Sequence, residues 1–531
     1  MKKWKFSLVL LSLLSVCSGK IFAQQSGHSP VSTYKNPVIP GDFADPSVIR
    51  VGDTYYACGT SSEWGPAYPV YSSKNLTDWQ YVGPVFADLP EWTMGSYWAP
   101  ELFFRNGTFY VYYTARRKAD KQSFIGVAST KDLKKGFQDH GVIIEWTKEA
   151  IDAFVVEDNG KLYITWKAYG LDKGREIEIL GAELSDDGLK VTGKEFSLIK
   201  ADPEGWESGG AEGQAILKRG KYWYMLYSGN ACCGDKCDYQ VGFARAEKLT
   251  GPWTKYEGNP VLSGDSSWKC PGHGTVVTTP DNRYFYLHHA YSGTDFTFTG
   301  RQGLLSELTW DDATGWPVFR YGKTPPVQAE MPVTARVVAS SKPMDKADKK
   351  RVGFPWVYDV SFPKPVFSEQ NGSIQIENSN PIPAGNFIGL TVKKGDYTFS
   401  AEVKTSKDLK QNIVIYGDAN NALGYGIQNH EITLWQVKEG VFEVIKTQEI
   451  PEKYDHVRLK LQSRKGRFYE LSWNITGEKT SAAAHTVSIQ APWLPRWDRA
   501  PRVGMNVSGN KAGRSEISAV EMEYDESNSN K

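Results

Sequence analysis

Five ionisable residues stand at comparable places in five similar segments of this 531-residue sequence: Asp45, Glu101, Asp152, Glu212 and His273. Each comes shortly before the Gly-, Asn- or Asp-containing turn of a predicted β-hairpin. Paired carboxyl groups can act as general acid and general base toward a bond that is hydrolysed. Asp45 alone also fits a structural role, because an aspartate before a proline commonly opens a turn. Acid–base chemistry therefore requires a fold that brings the five segments together.

The five segments share an apolar run, a turn and an aromatic run, and they recur regularly. They begin at residues 45, 99, 151, 213 and 273, so that successive starts lie 54, 52, 62 and 60 residues apart. A repeat of several short strands near this period is typical of a β-propeller, whose inner strands all face one axis. The sequence predicts an all-β protein with a five-bladed β-propeller over residues 36–322; an irregular β-sandwich with similar hairpins is the alternative. Convincing amphipathic helices are absent, which argues against a TIM barrel.

The remainder of the chain has a different character. Residues 323–351 are rich in Pro, Lys and Ala and predict a linker or an extended crossing segment. Residues 352–531 contain runs that alternate with a period of two, which predicts a C-terminal β-sandwich. Trp435, Trp493 and Trp497 are candidates for a sugar-binding platform there, but we favour a sandwich that buttresses the propeller.

The amino-acid composition indicates which classes of binding partner the protein attracts. Lys and Arg number 62 and Asp and Glu 61, for a net charge of +1, so nothing attracts nucleic acid or an anionic membrane over long range. Aromatic residues make up 13% of the chain, with 18 Trp and 28 Tyr. Their side chains form cores, and they also stack on the C–H faces of sugar rings.

The N-terminus predicts export. Three lysines precede a short apolar stretch and "IFAQQ", which indicates a signal peptide over residues 1–23, cleaved after Ala23. We expect a secreted or periplasmic protein without a membrane span. Lipid attachment at Cys17 is less favoured, because Val16 occupies the place of a small residue.

Five cysteines remain after the predicted signal peptide: Cys58, Cys232, Cys233, Cys237 and Cys270. Export makes disulfides plausible, the odd count leaves at least one thiol unpaired, and the pairing stays open. Zinc is disfavoured, because no histidine stands at zinc-finger spacing from "ACCGDKC".

Six pieces carry a family resemblance, in order, across residues 36–320: "NPVIPGDFADPSVI", "YWAPELF", "IDAFVVEDNGKLYI", "AEGQAILKRGKYWYMLYSG", "PGHGTVV" and "GRQGLLSELTW…GWP". Together they resemble glycoside hydrolase family 43. The resemblance implies a five-bladed propeller and hydrolysis with inversion, with Asp45 as general base, Asp152 as orienting and pKa-modulating acid, and Glu212 as general acid. It implies that His273 lies near an axial calcium or sodium ion held through water, with no organic cofactor. The C-terminal part resembles the concanavalin-like sandwiches of some members.

Departures from the family pattern leave the substrate open. Gln214 and Ala153 each replace a common proline, and Glu101 stands where aspartate is common. Predicted substrate-binding residues are Phe43, Trp98, Glu101 and Arg301, with Trp64 and Trp206 as further candidates for the pocket rim; a core tryptophan and a surface ion pair are the alternatives for Trp98 and Arg301. Glu207 is the chief rival of Glu212 as the acid.

These features predict an exported, inverting exo-glycosidase that acts on oligo- or polysaccharides of the plant-type pentose class, with α-L-arabinofuranosidase favoured. The alternatives are a β-xylosidase, a galactan-directed exo-glycosidase and an endo-arabinanase. A different class is a non-catalytic glycan-binding propeller, which retention of all three carboxylates disfavours. A phosphorolytic enzyme would need a cluster of cations around a phosphate, and only Arg301 and His273 are apparent.

Overall fold

The computed structural model describes residue 1 and residues 32–145, 149–168, 176–332, 356–370, 372–379, 382–476 and 486–525. The predicted signal peptide, Cys17 and residues 333–351 of the predicted linker lie outside the described residues, Met1 excepted. Regular structure in the described ranges is strand, apart from two 3₁₀ helices, Leu133–Lys135 and Phe296–Phe298, which confirms the all-β prediction. Among these residues, no helix has the length and apolar character needed to cross a membrane.

Strand β1 (Thr33–Lys35) precedes five antiparallel four-stranded sheets that follow one another along the chain. The first sheet contains β2 (Ser47–Val51), β3 (Thr54–Cys58), β5 (Ala67–Ser73) and β6 (Trp79–Phe86), with β4 (Trp64–Gly65) standing apart from it. The second contains β7 (Thr93–Arg105), β8 (Thr108–Arg117), β9 (Ser123–Thr130) and β10 (Gln138–Ile144). The third contains β11 (Ala150–Asp158), β12 (Lys161–Ala168), β13 (Glu178–Leu184) and β14 (Phe196–Lys200).

The fourth sheet contains β15 (Glu212–Arg219), β16 (Tyr222–Gly229), β17 (Gln240–Ala246) and β18 (Thr254–Lys255), and the fifth contains β19 (Trp268–Thr278), β20 (Tyr284–Ser292), β21 (Arg301–Trp310) and β22 (Pro317–Phe319). The first strands of successive sheets are neighbours in the order β2, β7, β11, β15, β19 and back to β2. The sheets therefore form a closed ring of five blades, and the predicted propeller is confirmed.

The segment before the first blade runs along the fifth blade and closes the ring. Ile39 forms a bridge with Gly303, and the backbone N–H of Phe43 donates to the carbonyl of Arg301 at 2.7 Å. Strand β1 pairs with β23 (Gln328–Glu330), which lies within the predicted linker. This closure brings the segment that carries Asp45 beside Arg301.

The C-terminal part forms two stacked sheets. After β24 (Tyr358–Asp359), which pairs with β4, a seven-stranded sheet has the order β25-β26-β37-β28-β33-β34-β35 and a six-stranded sheet the order β27-β36-β29-β30-β31-β32. Their bounds are β25 (Phe367–Gln370), β26 (Ser373–Asn378), β27 (Ile388–Thr391), β28 (Tyr397–Lys404), β29 (Leu409–Asp418), β30 (Asn421–Gln428), β31 (Glu431–Lys438), β32 (Val441–Glu449), β33 (His456–Arg464), β34 (Phe468–Ile475), β35 (Val487–Gln490), β36 (Arg502–Gly509) and β37 (Gly513–Tyr524). Alternate residues of both sheets form one apolar core, as the predicted β-sandwich requires.

Buried contacts join the sandwich to the propeller. Trp64 of β4 is 2% exposed and packs against Phe387 and Tyr416 of the sandwich. The guanidinium of Arg502 lies 5.0 Å from the Trp64 ring and pairs with Asp42 at 3.1 Å. The expectation that Trp64 shapes the rim of a pocket is therefore wrong, because its side chain fills the interface between the domains.

Trp435 does not contribute to a surface platform either. Its side chain is 1% exposed, and its indole N–H donates to Asn412 inside the sandwich. Trp493 is partly buried against the sandwich core, whereas Trp497 is 56% exposed. Only Trp497 of the three candidates therefore offers a broad accessible face.

Candidate active site

Each of the five segments has a backbone kink at its ionisable residue or within two residues of it. Backbone φ is positive at Asp45 (49°), Ala99 (40°), Asp152 (59°), Gly213 (60°) and His273 (32°). Register shifts occur at these points in the second to fifth blades, between Trp98 and Glu101, Ile151 and Phe154, Glu212 and Ala215, and Lys269 and Gly274. Such bulges re-aim side chains, and the left-handed conformation is unfavourable for non-glycine residues unless their surroundings hold it. The repeated kink therefore turns the polar side chains toward a common centre.

Gly213 shows how closely the blades approach there. A Cβ at this position would lie 2.6 Å from the His273 ring and would also strain the backbone, because φ is 60°. The glycine next to Glu212 thus lets the fourth and fifth blades meet at the axis.

Asp45 is buried among donors. Its Oδ2 accepts a hydrogen bond from Thr60 at 2.7 Å, and its Oδ1 lies 3.1 Å from Nη1 of Arg301. The backbone N–H of Asp45 donates to Nδ1 of His289 at 3.0 Å. Burial would raise the pKa of the Asp45 carboxyl, but the Arg301 guanidinium and the nearby His289 and His273 hold it well below its usual range. Asp45 is therefore ionised, as a general base must be.

His273 lies between two of the carboxylates. Its Nδ1 is 3.5 Å from Oδ1 of Asp45 and 3.7 Å from Oδ2 of Asp152, although the three residues come from the fifth, first and third blades. Burial raises the pKa of Asp152 to about 6; the charge of Glu212 adds to this and His273 opposes it. Three of the residues predicted from the repeat are thus brought together.

Glu212 completes the cluster from the fourth blade. Its Oε2 accepts a short hydrogen bond from the ammonium of Lys167, and its Oε1 accepts one from the hydroxyl of Tyr239 at 2.7 Å. Burial would raise the pKa of Glu212, but the adjacent ammonium lowers it on balance. We expected the charge of Asp152 to raise this pKa; Lys167, which sequence reasoning missed, has the larger effect.

Glu207 is the alternative candidate for the acid, but its carboxylate is hydrogen-bonded to groups outside the cluster. Its side chain is 1% exposed, and it accepts hydrogen bonds from the Tyr227 hydroxyl, the Asp202 backbone N–H and the Lys255 ammonium. These contacts hold the loop before β15. The geometry therefore favours Glu212 as the acid.

The predicted substrate-binding residues have different surroundings. Arg301 is 4% exposed and pairs with Asp45, so a surface ion pair does not describe it.

Glu101 is 6% exposed, accepts a 2.6 Å hydrogen bond from Ser47, and has a pKa that burial raises to about 8. Phe43 is 2% exposed and packs edge-on against Tyr71 in the core shared by the first and fifth blades. Phe43 and Glu101 therefore make the contacts of interior residues, and a role in substrate binding is still a prediction for them.

Trp98 stands half-buried beside the cluster and meets the sandwich. Its ring lies edge-on to Trp497, with centroids 6.3 Å apart. The next residue, Ala99, donates its N–H to Thr60, which in turn donates to Asp45. The carbonyl of Asp498, next to Trp497, accepts a hydrogen bond from Nη2 of Arg301 at 3.2 Å. Trp98 and Trp497 are therefore each adjacent in sequence to a residue whose backbone bonds a side chain that contacts Asp45.

The loop between β16 and β17 ends at Tyr239, which donates to Glu212. A disulfide joins Cys237 of this loop to Cys270 of β19, a second joins Cys232 to Cys233, and Cys58 is a free buried thiol. The expectation of at least one unpaired thiol among these five cysteines is confirmed. The Cys237–Cys270 bond connects the loop that leads to Tyr239 with the strand that carries His273.

Lys167 could have been found from the hairpin register. The turn Asn159-Gly160 pairs Asp158 with Lys161, and counting outward places Lys167 opposite Asp152; the β-bulge between Ile151 and Phe154 shifts its partner by one residue, to Ile151. Tyr239, Thr60 and His289 gave no such signal, because their contacts with the site depend on how the blades are arranged around the axis.

A directly bound axial ion is not supported by the residues present. No group of three His, Cys, Asp or Glu side chains that could hold a metal occurs in the described ranges. Nδ1 of His273 faces two carboxylates, which suits a hydrogen bond or an ion pair. A cation held only through water stays a prediction.

A family model described as "Glycosyl hydrolases family 43" matches residues 34–317. Among curated relatives, a "Beta-xylosidase" of Formosa agariphila is 28% identical over 401 residues, covering 68% of this chain and 64% of the relative. An "Extracellular exo-alpha-(1->5)-L-arabinofuranosidase ArbA" of Cellvibrio japonicus is 29% identical, covering 52% of this chain and 86% of the relative. The match thus spans less than two thirds of the first relative's length.

Solved structures share the fold over nearly the whole chain. A xylan beta-1,4-xylosidase from Bacillus halodurans superposes with a TM-score of 0.79 at 19% identity, covering 93% of this chain and 100% of its own. The structure named "Bacteroides ovatus Xyloglucan PUL GH43B" gives 0.78 at 20% identity with the same coverage. At such identity the likeness concerns the fold, including both the propeller and the sandwich.

Proposed function

The chain belongs to glycoside hydrolase family 43, and on that premise we propose that it is an exported, inverting, exo-acting glycosidase on pentose-containing glycans. The observation that carries this proposal is the placement of Asp45, Asp152 and Glu212 from three different blades around His273 and Lys167. Carboxylates on facing blades can leave room for a sugar and a water between them, as inversion requires. A non-catalytic glycan-binding propeller would not need an ionised, donor-lined Asp45.

In the proposed reaction, Asp45 takes a proton from the water that attacks the anomeric carbon. Glu212 gives a proton to the glycosidic oxygen as its bond to that carbon breaks, and the sugar is released with inverted configuration. Arg301 keeps Asp45 ionised, and Asp152 and Glu212 influence each other's proton affinity because their negative charges repel. Trp98 contributes a face for a sugar ring.

The favoured substrate is an α-L-arabinofuranoside, with a β-xyloside as the second candidate. Relatives at similar identity carry both names: "Non-reducing end alpha-L-arabinofuranosidase BoGH43B" of Bacteroides ovatus is 26% identical, and the Formosa β-xylosidase is 28% identical. The two pentose glycosides present similar groups to a carboxylate pair, so the choice between them depends on the shape of the pocket.

The decisive experiment is hydrolysis of a panel of nitrophenyl glycosides and pentose oligosaccharides, with NMR of the first-formed sugar. We expect release of single pentose units with inverted anomeric configuration and a preference for the arabinofuranoside. A first-formed sugar with retained anomeric configuration would refute the inverting mechanism. If none of the glycosides is hydrolysed, the proposed glycosidase activity is refuted.

Export and the axial cation are parts of the same proposal. Mass spectrometry of the mature chain should give an N-terminus at Gln24, and an acylated Cys17 would contradict cleavage after Ala23. A water-held cation predicts that a chelator lowers activity or melting temperature. If the chelator changes neither, the cation is not required.

A further inference from the structure

Both carboxylate oxygens of Glu212 are occupied by hydrogen-bond donors. The Lys167 ammonium donates to Oε2 and the Tyr239 hydroxyl donates to Oε1. Burial and the charge of Glu212 raise the pKa of Tyr239 well above its ordinary value, so its hydroxyl remains a donor. A carboxyl group that accepts from an ammonium on one oxygen and from a hydroxyl on the other is in its ionised form.

This arrangement conflicts with the role of a general acid. To protonate a glycosidic oxygen, Glu212 must carry a proton on an oxygen that points at the substrate. Neither oxygen is readily protonated while the Lys167 ammonium is bonded to the group, because the adjacent positive charge favours the carboxylate form. The Lys167 contact must therefore break before the bond is cleaved.

Lys167 is well placed for such a change. Its side chain is only 9% exposed, and it lies on β12 opposite Ile151, next to Asp152. Glu212, Asp152 and Glu149 are the acidic groups whose charges act on the ammonium, and together they outweigh the burial that would lower its pKa. Because Asp152 and Glu149 remain close, Lys167 stays charged when it releases Glu212.

We propose that Lys167 is a positioning residue that keeps Glu212 ionised in the empty site. It releases Glu212 when a hydroxyl of the substrate accepts the hydrogen bond of the ammonium instead. The inference rests on the proposed role of Glu212 as the acid. Glu212 then takes a proton from solvent and passes it to the leaving oxygen. Asp45 returns the proton of the attacking water to solvent, so that protons balance over one turnover.

A test must separate the effect of Lys167 on the protonation of Glu212 from the effects of the other groups that face Glu212. The four facing groups are Lys167 from β12, Tyr239 at the end of the β16–β17 loop, Asp152 from β11 and His273 from β19. Of these four, only Lys167 combines a positive charge with a direct hydrogen bond to the Glu212 carboxylate. Replacing it should change the protonation of the empty site more than that of the occupied site.

The first test compares pH profiles, because kcat/KM reports the free enzyme and kcat reports the complex. In the wild type, the basic limb of kcat/KM should lie at lower pH than the basic limb of kcat. In Lys167→Gln, the kcat/KM limb should move up by about one pH unit or more, toward that of kcat. Lys167→Arg, which keeps the charge, should retain the wild-type separation.

Lys255→Gln is the matched control. Lys255 also pairs with a buried glutamate before the fourth blade, Glu207, at 2.8 Å. This variant should leave both basic limbs in place. The inference would be overturned if the basic limbs of kcat/KM and kcat coincide in the wild type. It would also be overturned if the basic limb of kcat/KM does not move in a Lys167→Gln variant whose fold is intact by circular dichroism.

A second readout needs no turnover and so separates this inference from the proposed function. Carbon-13 NMR of labelled glutamate side chains, assigned with Glu212→Gln, follows the titration of Glu212 in the ligand-free protein. Its midpoint should rise in Lys167→Gln and stay in place in Lys255→Gln. An unchanged midpoint refutes the role of Lys167, whereas a raised midpoint in a protein that hydrolyses no glycoside refutes only the proposed activity.

Discussion

Nη1 of Arg301 lies 3.1 Å from Oδ1 of Asp45, although 256 residues separate the two in the sequence. Nη2 of the same guanidinium donates to the backbone carbonyl of Asp498 in the sandwich. One side chain therefore connects the predicted base with the second domain. The contact fixes the charge beside Asp45 and makes its proton affinity depend on how the two domains pack.

Replacing Arg301 should change the protonation of the base. The guanidinium lowers the pKa of Asp45, so Arg301→Gln should raise that pKa and move the acid limb of the kcat/KM profile to higher pH. Activity should fall most on the acid side of the profile, and Arg301→Lys, which keeps a positive charge beside Asp45, should return the acid limb part of the way toward its wild-type position. An acid limb that stays in place in Arg301→Gln would show that Asp45 is not the group whose ionisation the profile reports.

Removing the acid should be distinguishable from removing the base. Glu212→Gln should lower kcat on an unactivated glycoside by roughly 10²- to 10⁴-fold and regain much of it on a substrate with an activated leaving group. Asp45→Asn should be impaired on both substrates. Glu207→Gln is the control, because its carboxylate is bound by Tyr227 and Lys255. If Glu207→Gln shows the recovery and Glu212→Gln stays active, the acid has been misassigned.

Asp152 should act through its charge. Burial and the charge of Glu212 raise the pKa of Asp152 to about 6, so the two carboxyl groups share their last proton up to that pH; Asp152→Asn removes this step and should move the basic limb to lower pH. Rates on activated substrates should suffer less than rates on unactivated ones. An unchanged basic limb, measured across the pH range in which the variant remains folded, would leave Asp152 with an orienting role alone.

Glu101 should influence stability in a pH-dependent way. Burial raises its pKa to about 8, so the folded protein binds this proton more tightly than the unfolded chain does. Its contribution is complete below the unfolded pKa of about 4.3 and is lost as pH rises toward 8. Glu101→Gln should therefore flatten the decline in melting temperature over this range. A decline as steep as in the wild type would mean that other groups, such as Asp152, cause it.

Deleting the sandwich should damage the propeller. Truncation after Pro332 preserves β23 and its pairing with β1, but exposes buried Trp64 and removes the sandwich residues that bond to Asp42 and Arg301. We expect insoluble or inactive protein, and truncation after Lys323, which also loses β23, should be worse. A soluble and fully active product would contradict a structural role, and a loss of polymer binding alone would assign the sandwich to carbohydrate recognition.

Local patterns carried the prediction of the blades and of the polar positions. Each hairpin depends on a turn and a short alternating run that lie within about 20 residues, and such signals survive in a single sequence. The period of the hairpins then identified Asp45, Asp152, Glu212 and His273 as neighbours before any contact was known. Aromatic side chains were harder to place: Trp64, Trp435 and Phe43 are buried, because composition does not distinguish a core ring from one that faces a ligand.

The sequence by itself determined the fold class, the number of blades and which carboxylates face the axis, because these follow from periodicity and short-range geometry. Only the tertiary structure decided which charge stands beside each carboxylate: Arg301 beside Asp45, His273 between Asp45 and Asp152, and Lys167 on Glu212. Proton affinities depend on separations of a few ångströms and on burial, and both arise when strands distant in sequence are packed around one axis.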